Sequence, residues 1–127
     1  MLRIVLIDDE MAPKDIMEYF VVNYYKDTVA IVGTAANIDE GFEVINTVLP
    51  DLIFLDYFLP MGYGFELLDR FPNRNFDTVM LTAHFDVEEE AKAYNLLGFM
   101  NKPIEFRQLQ KYIQLAAQNK EARQKFE

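Results

Sequence analysis

Five short, nearly uninterrupted apolar runs are spaced along the chain, and helix-length amphipathic segments fill the gaps between them. "RIVLI" (Arg3–Ile7), "VAIVG" (Val29–Gly33), "LIFL" (Leu52–Leu55), "TVMLT" (Thr78–Thr82) and "GFM" (Gly98–Met100) read as strands. Most are continuously apolar rather than alternating, which suits a parallel sheet covered on both faces. Between them Ile16, Phe20 and Tyr24 recur at helical spacing, as do Phe42, Ile45 and Leu49. Val87, Ala91 and Tyr94 form a further stripe, Leu109, Tyr112, Ile113 and Ala116 another, and "FELLDRF" after Gly64 supplies a short helix. Such an alternation predicts βαβ units with right-handed crossovers, and hence an α/β doubly wound five-stranded parallel sheet with helices on both faces.

The bulk properties agree with one globular domain. The 127 residues are enough to bury a core, and 51% are hydrophobic against 26% charged. No apolar run approaches the ~20 residues that cross a bilayer, and the start lacks the pattern of a signal peptide. Cysteine is absent, which excludes a disulfide frame, a thiolate zinc site and a cysteine nucleophile, and fits a cytoplasmic protein. A net charge of −9 argues against direct nucleic-acid or membrane binding by this chain, since both demand Lys/Arg surfaces. Residues 1–118 read as the domain. Residues 119–127 are polar and helix-forming without an apolar stripe, a helix end or the start of a truncated connector.

In doubly wound sheets ligands bind beyond the carboxyl ends of the strands, where the strand order reverses. Strand one ends in Asp8 and Asp9, strand three in Asp56 and strand four in Thr82, while Lys102-Pro103 follows strand five. If strands one, three, four and five are neighbours, these side chains meet on one rim. Three close carboxylates stay ionised cheaply only with a cation among them, and oxygen donors without His or Cys select Mg²⁺ or a similar ion. Asp8, Asp9 and Asp56 therefore form a candidate divalent-metal site. The ammonium of Lys102 and the hydroxyl of Thr82 would complete a cradle for phosphoryl oxygens, and a carboxylate can itself be the nucleophile. Asp8 and Asp9 also suit the capping of the following helix. Glu10 reads as a solvated first-turn residue favoured by the helix dipole rather than as a ligand.

"LIDDE", "LIFLDYFLP" with Gly64 four residues after Pro60, "VMLTA" and "FMNKP" stand in the order and at the spacings of one signature set. Together they make the chain resemble the receiver domain of two-component response regulators over essentially its whole length. The resemblance implies the flavodoxin-like strand order 2-1-3-4-5. It implies Asp56 as phosphoacceptor from a sensor histidine kinase or small phosphodonors, with Mg²⁺ as cofactor. Asp9 would ligate the ion directly, Asp8 largely through water, and Phe58 through its backbone carbonyl. Lys102 would pair with the phosphoryl oxygens, the bond to Pro103 would be cis, and Thr82 with Phe99 would form the switch pair. The output would be read on the face of helix four, strand five and helix five, by an output domain, a downstream protein or a second copy in a homodimer. The "NKPIEFRQLQKYI" ending is similar to receivers that precede LytTR-type DNA-binding domains.

Phe58 and His84 stand at variable positions flanking the phosphoryl site, and Phe58 is expected to shield an acyl phosphate from water. Gly62 and Tyr63 also depart from the commoner residues, without a clear consequence. Two other functions fit parts of the pattern. A Mg²⁺-dependent phosphatase with its aspartyl nucleophile on strand one would want Asp-x-Asp, whereas the chain has Asp8-Asp9-Glu10. A flavodoxin-like electron carrier would need a Ser/Thr/Gly phosphate loop after strand one, and "DDEMAPKD" is acidic instead.

Overall fold

The computed structural model describes residues 1–82 and 88–125. Ala83, His84 and Val87, named above, lie outside the described residues. The five apolar runs are strands β1 (Leu2–Ile7), β2 (Val29–Ala35), β3 (Leu52–Asp56), β4 (Asp77–Thr82) and β5 (Gly98–Asn101). All pair in parallel, in the order β2-β1-β3-β4-β5. The sheet is the doubly wound one that the uninterrupted apolar runs predict. Every residue of β3 is buried, because the strand lies in the middle of the sheet with helices above and below.

Among the described residues five helices flank the sheet: α1 (Met11–Tyr24), α2 (Ile38–Val48), α3 (Gly64–Asp69), α4 (Glu88–Ala91) and α5 (Phe106–Lys125). Alternate side chains of a strand point to opposite faces, so each strand feeds two cores. Ile4 and Leu6 join Met17, Val21, Leu109 and Ile113 under α1 and α5. Val5 and Ile7 join Ile45, Leu67 and Ala91 under α2, α3 and α4. Burying each such aliphatic side chain stabilises the fold by roughly 1.5–3 kcal/mol.

Three of the helical stripes differ in detail from the sequence reading. On α1 the buried residues are Pro13, Met17 and Val21; Ile16 and Phe20 pack only partly and Tyr24 is exposed. The aromatic residues of that stripe face α5 instead, with Phe106 centred 5.1 Å from Phe20 and 4.8 Å from Tyr24. On α2 the buried set is Ile38, Gly41 and Ile45, while Leu49 is the left-handed residue that ends the helix (φ 50°) and is exposed. Of the third stripe, Ala91 is buried on α4, but Tyr94 sits on the 3₁₀ turn Lys92–Tyr94 that follows. On α5 Leu109, Tyr112, Ile113 and Ala116 are all buried.

Tyr112 fixes β5 as well as filling the core. Its hydroxyl donates to the carbonyl of Phe99 at 3.0 Å and lies 3.3 Å from the Phe99 N–H. That approach requires Gly98, since a Cβ there would stand 2.3 Å from the Tyr112 ring. The polar end of α5 docks on the body through charge. Asn119 Nδ2 donates to Asp77 at 3.2 Å, Lys120 Nζ meets Asp51 at 2.9 Å, and Arg123 reaches Asp77 at 3.7 Å.

Candidate functional site

The register of the central strands brings the acidic residues together. Ile7 of β1 lies beside Leu55 of β3, so the next residues, Asp8 and Asp56, leave the sheet side by side. Thr82 of β4 lies beside Asn101 of β5, and the following Lys102 donates its backbone N–H to the Thr82 carbonyl at 3.1 Å. The Lys102–Pro103 peptide is cis. Gly64 allows α3 to begin against this rim, because a Cβ there would lie 2.5 Å from the Asp56 carbonyl oxygen.

Lys102 is the hub of the cluster. Its Nζ stands 2.7 Å from Asp8 Oδ2, an ion contact without hydrogen-bond alignment, 3.0 Å from Asp56 Oδ2 and 3.2 Å from Glu10 Oε1. Asp8 is fully buried, and its Oδ1 accepts the Glu10 N–H at 2.9 Å. Asp56 is nearly buried, and its Oδ1 lies 3.4 Å from the Phe58 N–H. Burial pushes the Asp56 carboxyl up to about 6; the Lys102 hydrogen bond pulls it back and the neighbouring Asp8 charge adds to the rise. Burial works against the Lys102 ammonium, yet the close contacts and charges of Asp8 and Asp56 outweigh it and hold its pKa above the ordinary lysine range.

One lysine does not neutralise this set. Ligand oxygens from Asp8, Asp9, Glu10 and Asp56 all lie within 4.8 Å of one another. Four hard carboxylates in that radius, without nitrogen or sulfur, fit a small divalent cation such as Mg²⁺. Glu10 is solvated, as the sequence reading has it, with its carboxylate beside the cluster. It is the residue before α1 rather than part of its first turn, its side chain makes no capping bond, and its carboxylate turns to Lys102. Its partner lies 92 residues away, so nothing local in the sequence signals the contact.

Asp9, Glu10, Asp56, Phe58 and Lys102, with Leu59 and Pro60, line an open cavity of about 370 Å³. The Phe58 ring is 46% exposed at its edge. Thr82 is buried at 3% exposure, and Phe99 is half-buried among the residues under α3 and α4. Thr82 and Phe99 share a face of the sheet, since Met80, two residues before Thr82, is the registered neighbour of Phe99.

A doubly wound sheet with an acidic, lysine-bridged pocket at its switch point defines a class of α/β domain, and comparison with known proteins narrows it. The model of the response regulator receiver domain family matches residues 4–114, and the chain belongs to that family. An uncharacterized response regulatory protein of Vibrio cholerae is 31% identical over 115 residues, covering 90% of this chain and 48% of that protein. The sensory transduction protein LytT of Bacillus subtilis is 30% identical over 112 residues, covering 87% of this chain and 46% of that protein. The chain thus spans about half the length of the curated relatives it matches. A receiver domain protein of Methanospirillum hungatei shares the fold, with a TM-score of 0.79 at 22% identity over 96% of this chain and 98% of that one. Among the described residues no helix is long and apolar enough to cross a membrane.

Proposed function

We propose that this receiver domain is a phosphorylation-controlled switch in which Asp56 accepts a phosphoryl group from a sensor histidine kinase. One observation carries the reading: of the two carboxylates buried among the described residues, Asp56 lines the open cavity and Asp8 does not. Asp8 has no exposed surface and is tied to the Glu10 N–H and to Lys102, which suits it to holding charge rather than to attack. This speaks against a phosphatase using a strand-one nucleophile.

An Asp56 carboxylate oxygen attacks the phosphorus of a phosphohistidine. The P–O bond forms as the P–N bond breaks, the imidazole nitrogen keeps the electron pair, and Asp56 becomes an acyl phosphate. Lys102, already 3.0 Å from Asp56, turns to the incoming phosphoryl oxygens. Asp9, Asp56 and the Phe58 carbonyl would hold Mg²⁺ directly and Asp8 through water. A bound Mg²⁺ supplies charge neutralisation for the phosphoryl oxygens. The Thr82 hydroxyl moves toward the phosphoryl group and Phe99 turns into the space left behind, carrying the change to the face of α4, β5 and α5. That face addresses an output domain, a partner protein or a second copy in a homodimer, in the cytoplasm. The transcriptional regulatory protein BtsR of Escherichia coli, 27% identical over 112 residues, favours a role in transcription control. The domain catalyses only its own phosphorylation and dephosphorylation.

Incubation with Mg²⁺ and acetyl phosphate, followed by mass spectrometry, tests the assignment. The expected result is one hydroxylamine-labile phosphoryl group on Asp56, absent from Asp56→Asn; a label on Asp8 would overturn it. Phe58 at the cavity edge restricts the approach of water to the acyl phosphate, so Phe58→Asn should dephosphorylate faster. An unchanged rate removes that role.

A further inference from the structure

A second cavity, of about 480 Å³, opens beside the first and is lined by Tyr57, Tyr63, Phe65, Glu66, Asp69 and Tyr94. Four of its six walls are aromatic. Tyr57 lies 5.4 Å from Tyr63 and 5.8 Å from Phe65 between ring centres, and Phe65 stacks on Tyr94 at 4.3 Å with 17° between planes. Phe65 is itself buried while the Tyr63 ring is exposed, and the remaining two walls are exposed carboxylates one helical turn apart on α3.

The basic side chains nearest in sequence are committed elsewhere. Arg70 pairs with Asp39 at 3.0 Å and lies over the Phe42 ring. The Arg74 guanidinium donates to the carbonyls of Phe71 and Tyr94. Among the described residues, no lysine or arginine comes within ion-pair distance of Glu66 or Asp69. Aromatic faces attract cations, and carboxylates at their rim add charge and hydrogen-bond acceptors. A planar guanidinium matches such a site better than an ammonium, since it stacks on a ring and pairs with a carboxylate at once.

From these facts we infer that the cavity receives an arginine side chain presented by a partner protein. Charge complementarity sets the occupant: a chain of net charge −9 draws a basic surface toward it, and in this cavity an aromatic wall meets two exposed carboxylates, Asp69 and the helix-capping Glu66, that have no ion-pair contact with a described lysine or arginine. The inference does not depend on phosphoryl transfer, and none of its residues belongs to the carboxylate cluster around Lys102.

The test uses the full chain and two small probes, N-acetyl-arginine amide and its neutral isostere N-acetyl-citrulline amide, followed by NMR of the aromatic rings. The arginine probe is expected to shift the Tyr57, Tyr63, Phe65 and Tyr94 resonances saturably. It should bind about tenfold more tightly than citrulline, the size of one partly desolvated cation–π contact. Added salt should weaken it. Glu66 and Asp69 are exposed, so the Glu66→Gln/Asp69→Asn double variant keeps the fold and should lose the preference. Equal binding of the two probes, an undiminished preference in the double variant, or no saturable shift of these rings would overturn the inference.

Discussion

The two ends of the central strands carry similar residues in opposite balance. At the carboxyl ends Asp8, Asp9, Glu10 and Asp56 crowd around one ammonium, Lys102. At the amino ends Asp51 and Asp77, one residue ahead of β3 and the first residue of β4, meet Lys120, Arg123 and the amide of Asn119. Asp51 is satisfied further by the Arg3 N–H at 2.8 Å, and Lys120 also donates to the Met1 carbonyl. Burial pushes Asp77 up, while Asn119 and Arg123 pull it back. Paired charges make a clamp; a surplus of one sign makes a candidate cation site. The comparison separates structure from function on charge count and burial alone.

Removing the lysine hub should have the largest effect. Lys102→Met leaves the buried Asp8 and Asp56 without a countercharge, and loss of one member of a buried ion cluster costs about 3–5 kcal/mol. Ion pairing raises the Lys102 pKa, so its contribution is present in full below the ordinary lysine range and is lost only in strong alkali. Chemical denaturation at neutral pH, with and without Mg²⁺, checks this. The metal should recover part of the loss by taking over the neutralisation.

Neutralising Asp56, the proposed phosphoacceptor, should act in the other direction. The Asp56 carboxyl is raised to about 6, so the folded protein holds this proton more tightly than the unfolded chain does. Stability from the neutral form is complete below the ordinary carboxylate range and disappears as pH rises through about 6. Without metal, Asp56→Asn should therefore be more stable than wild type at neutral pH, by on the order of 2 kcal/mol. The gain should shrink as pH falls from about 6 toward 4, which urea titrations across that range would detect. A gain independent of pH would show that relief of charge is not its origin.

The smallest effect belongs to the balanced end. Lys120 is partly solvated, with 23% of its side chain exposed. Lys120→Ala should cost about 1 kcal/mol, the scale of a partly exposed pair, with no change in Mg²⁺ affinity. A loss as large as that of Lys102→Met would erase the distinction between the two ends.

The parts of the molecule that were legible in the sequence are those governed by local pattern. Uninterrupted apolar runs marked β1, β3 and β4, and the polar residue ending each run pointed to the rim where Asp8, Asp56 and Thr82 stand. The helix faces were read less well because α1 carries apolar residues on two sides. Met17 and Val21 enter the core while Phe20 and Tyr24 join Phe106, and spacing alone does not rank one stripe above the other. Leu49 looked like a core residue but serves as a left-handed helix end. Long-range charge was the least visible. Glu10 with Lys102, and Asp51 with Lys120, are joined only by the fold, and their side chains look like ordinary surface groups in the linear chain.

The claim that surplus negative charge makes the carboxyl-end cluster a cation site is tested most directly by Mn²⁺, a paramagnetic stand-in that takes the same oxygen ligands as Mg²⁺. Sub-stoichiometric Mn²⁺ should broaden the amide resonances around Asp8, Asp9, Glu10 and Asp56, and Mg²⁺ should reverse the broadening. The amides of Asp51 and Asp77 should stay sharp. Equal broadening at both ends of the strands, or none around Asp9 and Asp56, would contradict the account.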